Sequence, residues 1–340
     1  MPTPDARLAQ FCKARGVDGV IIRRRANMAW ATGGADFHCD TASELGIAWL
    51  EWTPARKVVH TDTIEAPRLR AEEPLSDWDF AVSDWWARDA VLPGLLSSNR
   101  YAADWPDDCL YEYRATLSLA QIDHARALGR DTSEVVGRIL RQDARPGMTE
   151  HHLAGAVSGW LRDRAIHGHV ILIAADDRIA RFRHPIPSPR PIERCAMVAV
   201  CAQRRGLIVS VTRLVHFGPP PADLVRRHQA VCAVDLALHL ATRPGVRWCD
   251  ALATGIAEYA RQGFPDEWKL HHQGGPMGYM ARDFRATPDE SRPVLPAQLV
   301  GWNPSITGTK SEDTILSTGE VITPDPLWPA TGGRPDILVR

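Results

Sequence analysis

Two adjacent histidines, His271 and His272, open the stretch "HHQGGPMGYMARDF" at residues 271–284, ahead of a glycine-rich run and an Arg282-Asp283 pair. Neutral imidazole is the commonest metal ligand, so two of them side by side raise the question of a bound ion. The planar guanidinium of Arg282 suits a two-pronged grip on a substrate carboxylate. It equally suits a surface pair with Asp283. The seven cysteines (Cys12, Cys39, Cys109, Cys195, Cys201, Cys232 and Cys249) are scattered without a CxxC spacing, which reads as reduced structural thiols. Cys201 lies in a strand-like run, and a nucleophilic role there would need a nearby base; packing is the commoner use of such a thiol.

The elements that must position these groups alternate. "DARLAQFCKARG" patterns as an amphipathic helix, "VDGVIIRR" as a buried strand, and "GIAWLEWT" and "RKVVHTD" as two further strands around the turn residues "PA". With "NRYAADW" as another short strand, this predicts an α/β domain ending near residue 112. A long helical region follows, with Ile122, Ala125, Leu128, Val135, Val136 and Ile139 three and four apart. Arg145-Pro146-Gly147 interrupts it, and Thr149 is placed to cap the second helix. "HVILIAA" and "CAMVAVCAQRRGLIVSVTRLVHFG" predict strands, the latter a hairpin turning at Gly206 with Arg204 and Arg205 at its solvated tip. Helices are predicted from about Ala222 to Thr242 and from about Cys249 to Gln262, before a C-terminal run of strands with turns at Gly308 and Gly319.

A chain of 340 residues is long enough for two domains. With 44% apolar and 24% charged residues and a formal net charge of -1, it has the composition of a soluble globular protein and no electrostatic case for nucleic acid. No segment reaches the roughly 18 apolar residues that a membrane helix requires, so a cytoplasmic location is expected. Twelve tryptophans are present, three of them in "SDWDFAVSDWWARD", and core or subunit-interface packing is the expected use of that cluster.

The ordered pieces "ARPGMTE", "RFRHP", "RGLIVSVTRLVHFG", "HHQGGPMGY" and "WNPSITGTKSEDTIL" resemble the family of creatinase, prolidase and aminopeptidase P, whose catalytic domain has the pita-bread fold. "VDGVIIRRRANMAWATGG" resembles the start of that family's smaller domain. The resemblance covers nearly the whole chain. It implies a mixed α/β (α+β) protein with a smaller N-terminal α/β domain over residues 1–113 and a pita-bread domain over residues 114–340, assembled as a homodimer.

In the peptidases of this family two aspartates, a histidine and two glutamates hold two divalent metals. The resemblance sets Ala199 and Ser210 at the aspartate positions, Gly275 at the histidine position, and Asn303 and Glu312 at the glutamate positions. Alanine, serine, glycine and asparagine cannot supply the carboxylates and imidazole of such a centre, so no metal or other cofactor is expected. By the same resemblance His184, in "RFRHP", matches the histidine that creatinase, which works without metal, uses as acid and base; an unperturbed imidazole titrates near neutral pH. Glu312 would then bind a cationic group, pair with an Arg or His, or take up a proton. Asn303 and Ser210 offer hydrogen bonds but no strong base, while Tyr279 and Trp302 flank the expected cavity beside Arg282 and Asp283.

The leading expectation is therefore a metal-independent enzyme acting on a small molecule, by C–N hydrolysis or by elimination or cyclisation of a biosynthetic intermediate. His184 would shuttle the proton, with Glu312 and Asn303 orienting the substrate. A catalytically inactive binding homologue is the alternative. A metallopeptidase drawing unusual ligands from His271, His272, Asp283 and Glu312 is a third reading.

Overall fold

A computed structural model describes residues 2–340, so of the predicted smaller domain only Met1 lies outside the described residues. The chain forms two compact units, one of residues up to Leu119 together with Arg205–Leu207, the other of Ala120–Arg204 and Ile208–Arg340. The boundary lies six residues beyond the expected one, at the first residue of the long helix Leu119–Arg138, whose remainder belongs to the second unit.

In the first unit, helix Pro4–Arg15 is started by Thr3, whose hydroxyl accepts from the Ala6 N–H, and ended by Gly16 in a left-handed conformation. Its Leu8, Phe11 and Cys12, three and four apart, are buried. Five strands make the sheet: β1 (Gly19–Arg24), β2 (Leu45–Thr53), β3 (Arg56–Asp62), β4 (Asp79–Ser83) and β5 (Tyr101–Ala103), in the order β4-β3-β2-β1-β5. The residues after β1, "RANMAWA", form a short helix that the sequence reading passed over. The tryptophan cluster divides: Trp78 is buried, whereas Trp85 and Trp86 are 62% and 69% exposed, so only the first is a core residue.

The second unit is built on a sheet of β6 (His167–Ala175), β7 (Cys195–Arg204), β8 (Leu207–His216), β9 (Gly274–Met277), β10 (Leu299–Trp302), and, after the small hairpin β11 (Ser305–Ile306) and β12 (Thr309–Lys310), β13 (Glu312–Leu316). Its order is β6-β7-β8-β13-β10-β9. Past the small ladder of β14 (Ala330–Thr331) and β15 (Arg334–Pro335), β16 (Leu338–Val339) adds parallel to β8. The predicted hairpin is present, with Arg205 and Gly206 both at positive φ in its turn. The first long helix, Leu119–Arg138, closes through a π-helical turn at Ile139–Asp143 before Pro146, and Thr149 caps helix Glu150–Arg162 by accepting from the His152 N–H.

Helices Ala222–Ala241 and Trp248–Arg261 cover one face of this sheet. Val231, Val234, Leu238, Trp248, Leu252 and Tyr259 form one buried cluster with Val300, Trp302 and Ile315 of the strands. Successive side chains of a strand point to opposite faces, so this packing fixes the complementary residues, Gly301, Glu312 and Thr314, on the other face. That other face carries the site.

Candidate active site

β8 and β13 run antiparallel with Glu312 opposite Thr212 and Asp313 opposite Val211. The pairing aligns Ser210, Thr212, Glu312 and Thr314 on one face. Thr314 Oγ1 accepts from the Ser210 N–H at 2.7 Å and lies 3.0 Å from the Ser210 carbonyl, locking the register at the site. Across β10, Gly301 pairs with Thr314, and Gly275 of β9 pairs with Gly301. These glycines leave room: a Cβ on Gly301 would come within 2.7 Å of both Arg282 Nη1 and Met277 Sδ, and one on Gly275, at φ +153°, within 2.4 Å of the Phe284 carbonyl.

The space kept at Gly301 is taken by the Arg282 guanidinium and the Met277 sulfur. Glu312, 4% exposed, accepts from Thr212 Oγ1 at 2.6 Å and from Lys310 Nζ at 2.8 Å, while Arg282 Nη2 lies 3.4 Å from its other oxygen. Burial opposes ionisation of Glu312, but Lys310 and Arg282 outweigh it and hold the carboxyl below its ordinary range. It is a carboxylate at neutral pH. Arg282 also donates to the Ala281 carbonyl at 2.6 Å, and its buried Nε finds no partner among the described residues.

Beside this network three imidazoles meet. His184 lies in the loop after helix Asp177–Arg181, and His271 and His272 leave the short turn Glu267–Leu270 in extended backbone that leads into β9. His271 Nε2 is 3.1 Å from His184 Nε2 and 3.4 Å from Asn303 Nδ2, and its Nδ1 is 3.4 Å from Ser305 Oγ. One assignment satisfies all three contacts: His271 donates from Nδ1 to Ser305 and accepts at Nε2 from Asn303 and from protonated His184 Nε2. His184 then presents Nδ1 as a free base. Burial, followed by the Lys310 charge and the neighbouring imidazoles, pushes His271 down to about 2. Burial and then Arg282 push His272 down to about 4, and burial and Lys310 lower His184. All three are neutral at pH 7. His272 Nδ1 and Asn303 Oδ1 are buried without partners among the described residues.

The structure therefore brings His184, Glu312, Asn303, Arg282 and Ser210 into one region. Trp302 is a correction. It lies on the opposite face of the sheet, packed against Trp248 and donating from Nε1 to Thr242 Oγ1 at 2.8 Å, so it is core and walls no cavity. The Tyr279 hydroxyl is engaged by Gln121 Nε2 at 2.9 Å, and the Asp283 N–H donates to the Pro276 carbonyl. Arg282 turns to Glu312. Burial and then the Glu312 charge push the Cys201 thiol up to about 11, so it stays protonated and is no nucleophile. Lys310 escaped the sequence reading, although the Lys310-Ser311-Glu312 spacing suits two side chains on one side of an extended chain.

The positions assigned to the two-metal centre hold Ala199, Ser210, Gly275, Asn303 and Glu312. Their single carboxylate is already saturated by an ammonium, a hydroxyl and a guanidinium. These residues do not fit a pair of divalent ions.

Residues 123–333 match the sequence profile of metallopeptidase family M24. Among curated proteins none matches the chain. Solved structures share its architecture. A dipeptidase from Pyrococcus horikoshii OT3 aligns with a TM-score of 0.78 at 15% identity, over 99% of this chain and 100% of its own. An Xaa-Pro dipeptidase from Bacillus anthracis aligns at 0.75 and 15% identity, over 99% of each chain. The N-terminal domain of the FACT complex subunit SPT16 from Cicer arietinum aligns at 0.69 and 11% identity, over 95% of this chain and 96% of that one. At these identities the likeness is one of fold.

Proposed function

The chain belongs to metallopeptidase family M24, and from that premise we propose that it is a metal-independent enzyme of the creatinase type acting on a small molecule at a C–N bond. The observation that carries this reading is the His184–His271 contact of 3.1 Å beside a Glu312 tied to Lys310 and Arg282. A neutral imidazole held by a second neutral imidazole is a general base at pH 7. His184 takes a proton from water as its oxygen bonds to carbon, and returns a proton to the nitrogen as the C–N bond breaks. Asn303 Oδ1 accepts from a substrate N–H, and the unengaged Nε of Arg282 meets an anionic group. Elimination or cyclisation of a biosynthetic intermediate uses the same proton transfers without the water.

Co-purified or library ligands that raise the melting temperature identify the substrate. With it in hand, His184→Ala is expected to lower kcat about 10²–10⁴-fold while binding persists. Unchanged turnover removes His184 from the mechanism.

A second reading, a binding protein without turnover, draws on the shared architecture with a FACT complex subunit. It predicts a protein partner whose retention is indifferent to His184→Ala and Glu312→Gln. The net charge of -1 speaks against histones or RNA as that partner. The assembly we propose is a homodimer in the cytoplasm; among the described residues no helix is long and apolar enough to cross a membrane.

A further inference from the structure

Proton transfer at His184 requires one base and one partner, yet three imidazoles converge here. The candidate ligand nitrogens of His184, His271 and His272 all lie within 4.8 Å of one another. We propose that these three side chains form a binding site for a single transition-metal dication of the zinc class, separate from the five positions the family assigns to its metal pair.

The donor set fits that class. Imidazole nitrogens suit zinc, cobalt, nickel and copper, whereas magnesium and calcium demand oxygens. Ser305 Oγ, 3.4 Å from His271 Nδ1, fixes the tautomer that aims the Nε2 lone pair at His184, as hydrogen-bond acceptors behind metal-bound histidines do. His272 brings a buried nitrogen with no partner among the described residues, which a ligand would answer. Donors about 2.0 Å from a tetrahedral ion stand roughly 3.3 Å apart. His184 and His271 already stand 3.1 Å apart through their Nε2 atoms, so it is the His272 nitrogen, within 4.8 Å of the others, that must draw in. The exposed side of His184 leaves the fourth position open.

Charge sets the strength. Lys310, Arg183, Arg282 and Arg285 face the imidazoles. Lys310 and Arg282 lean on Glu312, and Arg183 is paired with Glu267 at 2.8 Å. Positive charge remains in excess, so the site binds more weakly than a three-histidine site in neutral surroundings. An ion held through His184 Nε2 leaves that ring's proton on Nδ1, the nitrogen that would accept one from water, and so silences the proposed reaction. Binding itself does not depend on that reading.

The test uses the untagged full chain, stripped with chelator and titrated with Co²⁺ while the visible spectrum is followed, then with Zn²⁺ as competitor. One ion per chain with strong tetrahedral bands, displaced by Zn²⁺, is expected. The bands vanish in His272→Ala and in His184→Ala, whose exposed loop position keeps the fold intact by circular dichroism. Ser305→Ala weakens binding about tenfold. Arg285→Ser, removing a facing cation, tightens it severalfold. Absence of the bands, their persistence in His184→Ala, or two ions per chain overturns the proposal, and none of these outcomes bears on turnover by the metal-free protein.

Discussion

The side chains around Glu312 do by themselves what bound ions do in a two-metal site: they neutralise a buried carboxylate. Lys310 and Glu312 have side chains only 7% and 5% exposed, so removing one charge strands the other in a poorly solvating interior. Lys310→Met is expected to cost about 3 kcal/mol of stability, by analogy with other broken buried pairs. Adding Glu312→Gln should recover part of that loss. Urea unfolding of the two single variants and the double variant measures the coupling, and strict additivity would show that the pair does not interact. Restoring the family's metal ligands should fail for a steric reason. A side chain at Gly275 meets the Phe284 carbonyl at 2.4 Å, and any residue other than glycine is strained at φ +153°. The variant carrying Ala199→Asp, Ser210→Asp, Gly275→His and Asn303→Glu is expected to melt below the parent and to hold no pair of Mn²⁺ ions by elemental analysis. Two manganese ions per chain would show that the backbone still accommodates the family's centre.

Between elements, a second charge network ties the far side of the sheet together. Asp235, on helix Ala222–Ala241, accepts from Ser311 Oγ at 2.6 Å and from Arg334 Nε at 2.9 Å; Arg334 reaches Asp313 of β13, which also pairs with Arg213 of β8. Burial opposes ionisation of Asp235, but Arg334 and His239 overcome it and hold the carboxyl far below its ordinary 3.8. A depressed acid adds stability that is complete above its unfolded value, near pH 4, and is lost as pH falls through the folded value. The parent's urea midpoint should therefore drop between pH 4 and pH 2. Asp235→Asn should start about 3 kcal/mol lower at pH 7 and lose less over that interval. Equal acid slopes for the two proteins would remove Asp235 from the account. The main elements here were legible in sequence: the hairpin through Gly206, the Thr149 cap and the helices around residues 222–262 follow from local periodicity and capping. His184 and Glu312 were legible because each sits in a short ordered motif. Trp302 was not, because its face depends on which strand it pairs with, and only the register to Asp313 sends it into the core. Nor was the course of Arg282, which rests on space left at Gly301, nineteen residues away, by a long-range pairing that has no local signature.

At the scale of the molecule, one unit holds the candidate site and the other does not contribute the residues described above. His184, Asn303, Lys310 and Glu312 all belong to Ala120–Arg204 and Ile208–Arg340. The first unit has its own core: Val20, Ile21 and Ile22 of β1, Leu50 of β2 and Val58 and Val59 of β3 are all fully buried within a five-stranded sheet. Strands buried over a continuous sheet, with a capped helix at the start of the chain, are what an independently folding domain requires. Of the residues grouped with this unit, only Arg205–Leu207 come from elsewhere in the chain, and none of its five strands does. A fragment of residues 1–119 is therefore expected to fold alone, giving mixed helix and strand circular dichroism and one cooperative thermal transition. A broad, non-cooperative melt would mean that its sheet depends on the hairpin tip at Arg205–Leu207 for completion. In that case the two units are one folding unit, and the stability changes argued for Lys310 and Asp235 would have to appear in a single transition of the whole chain.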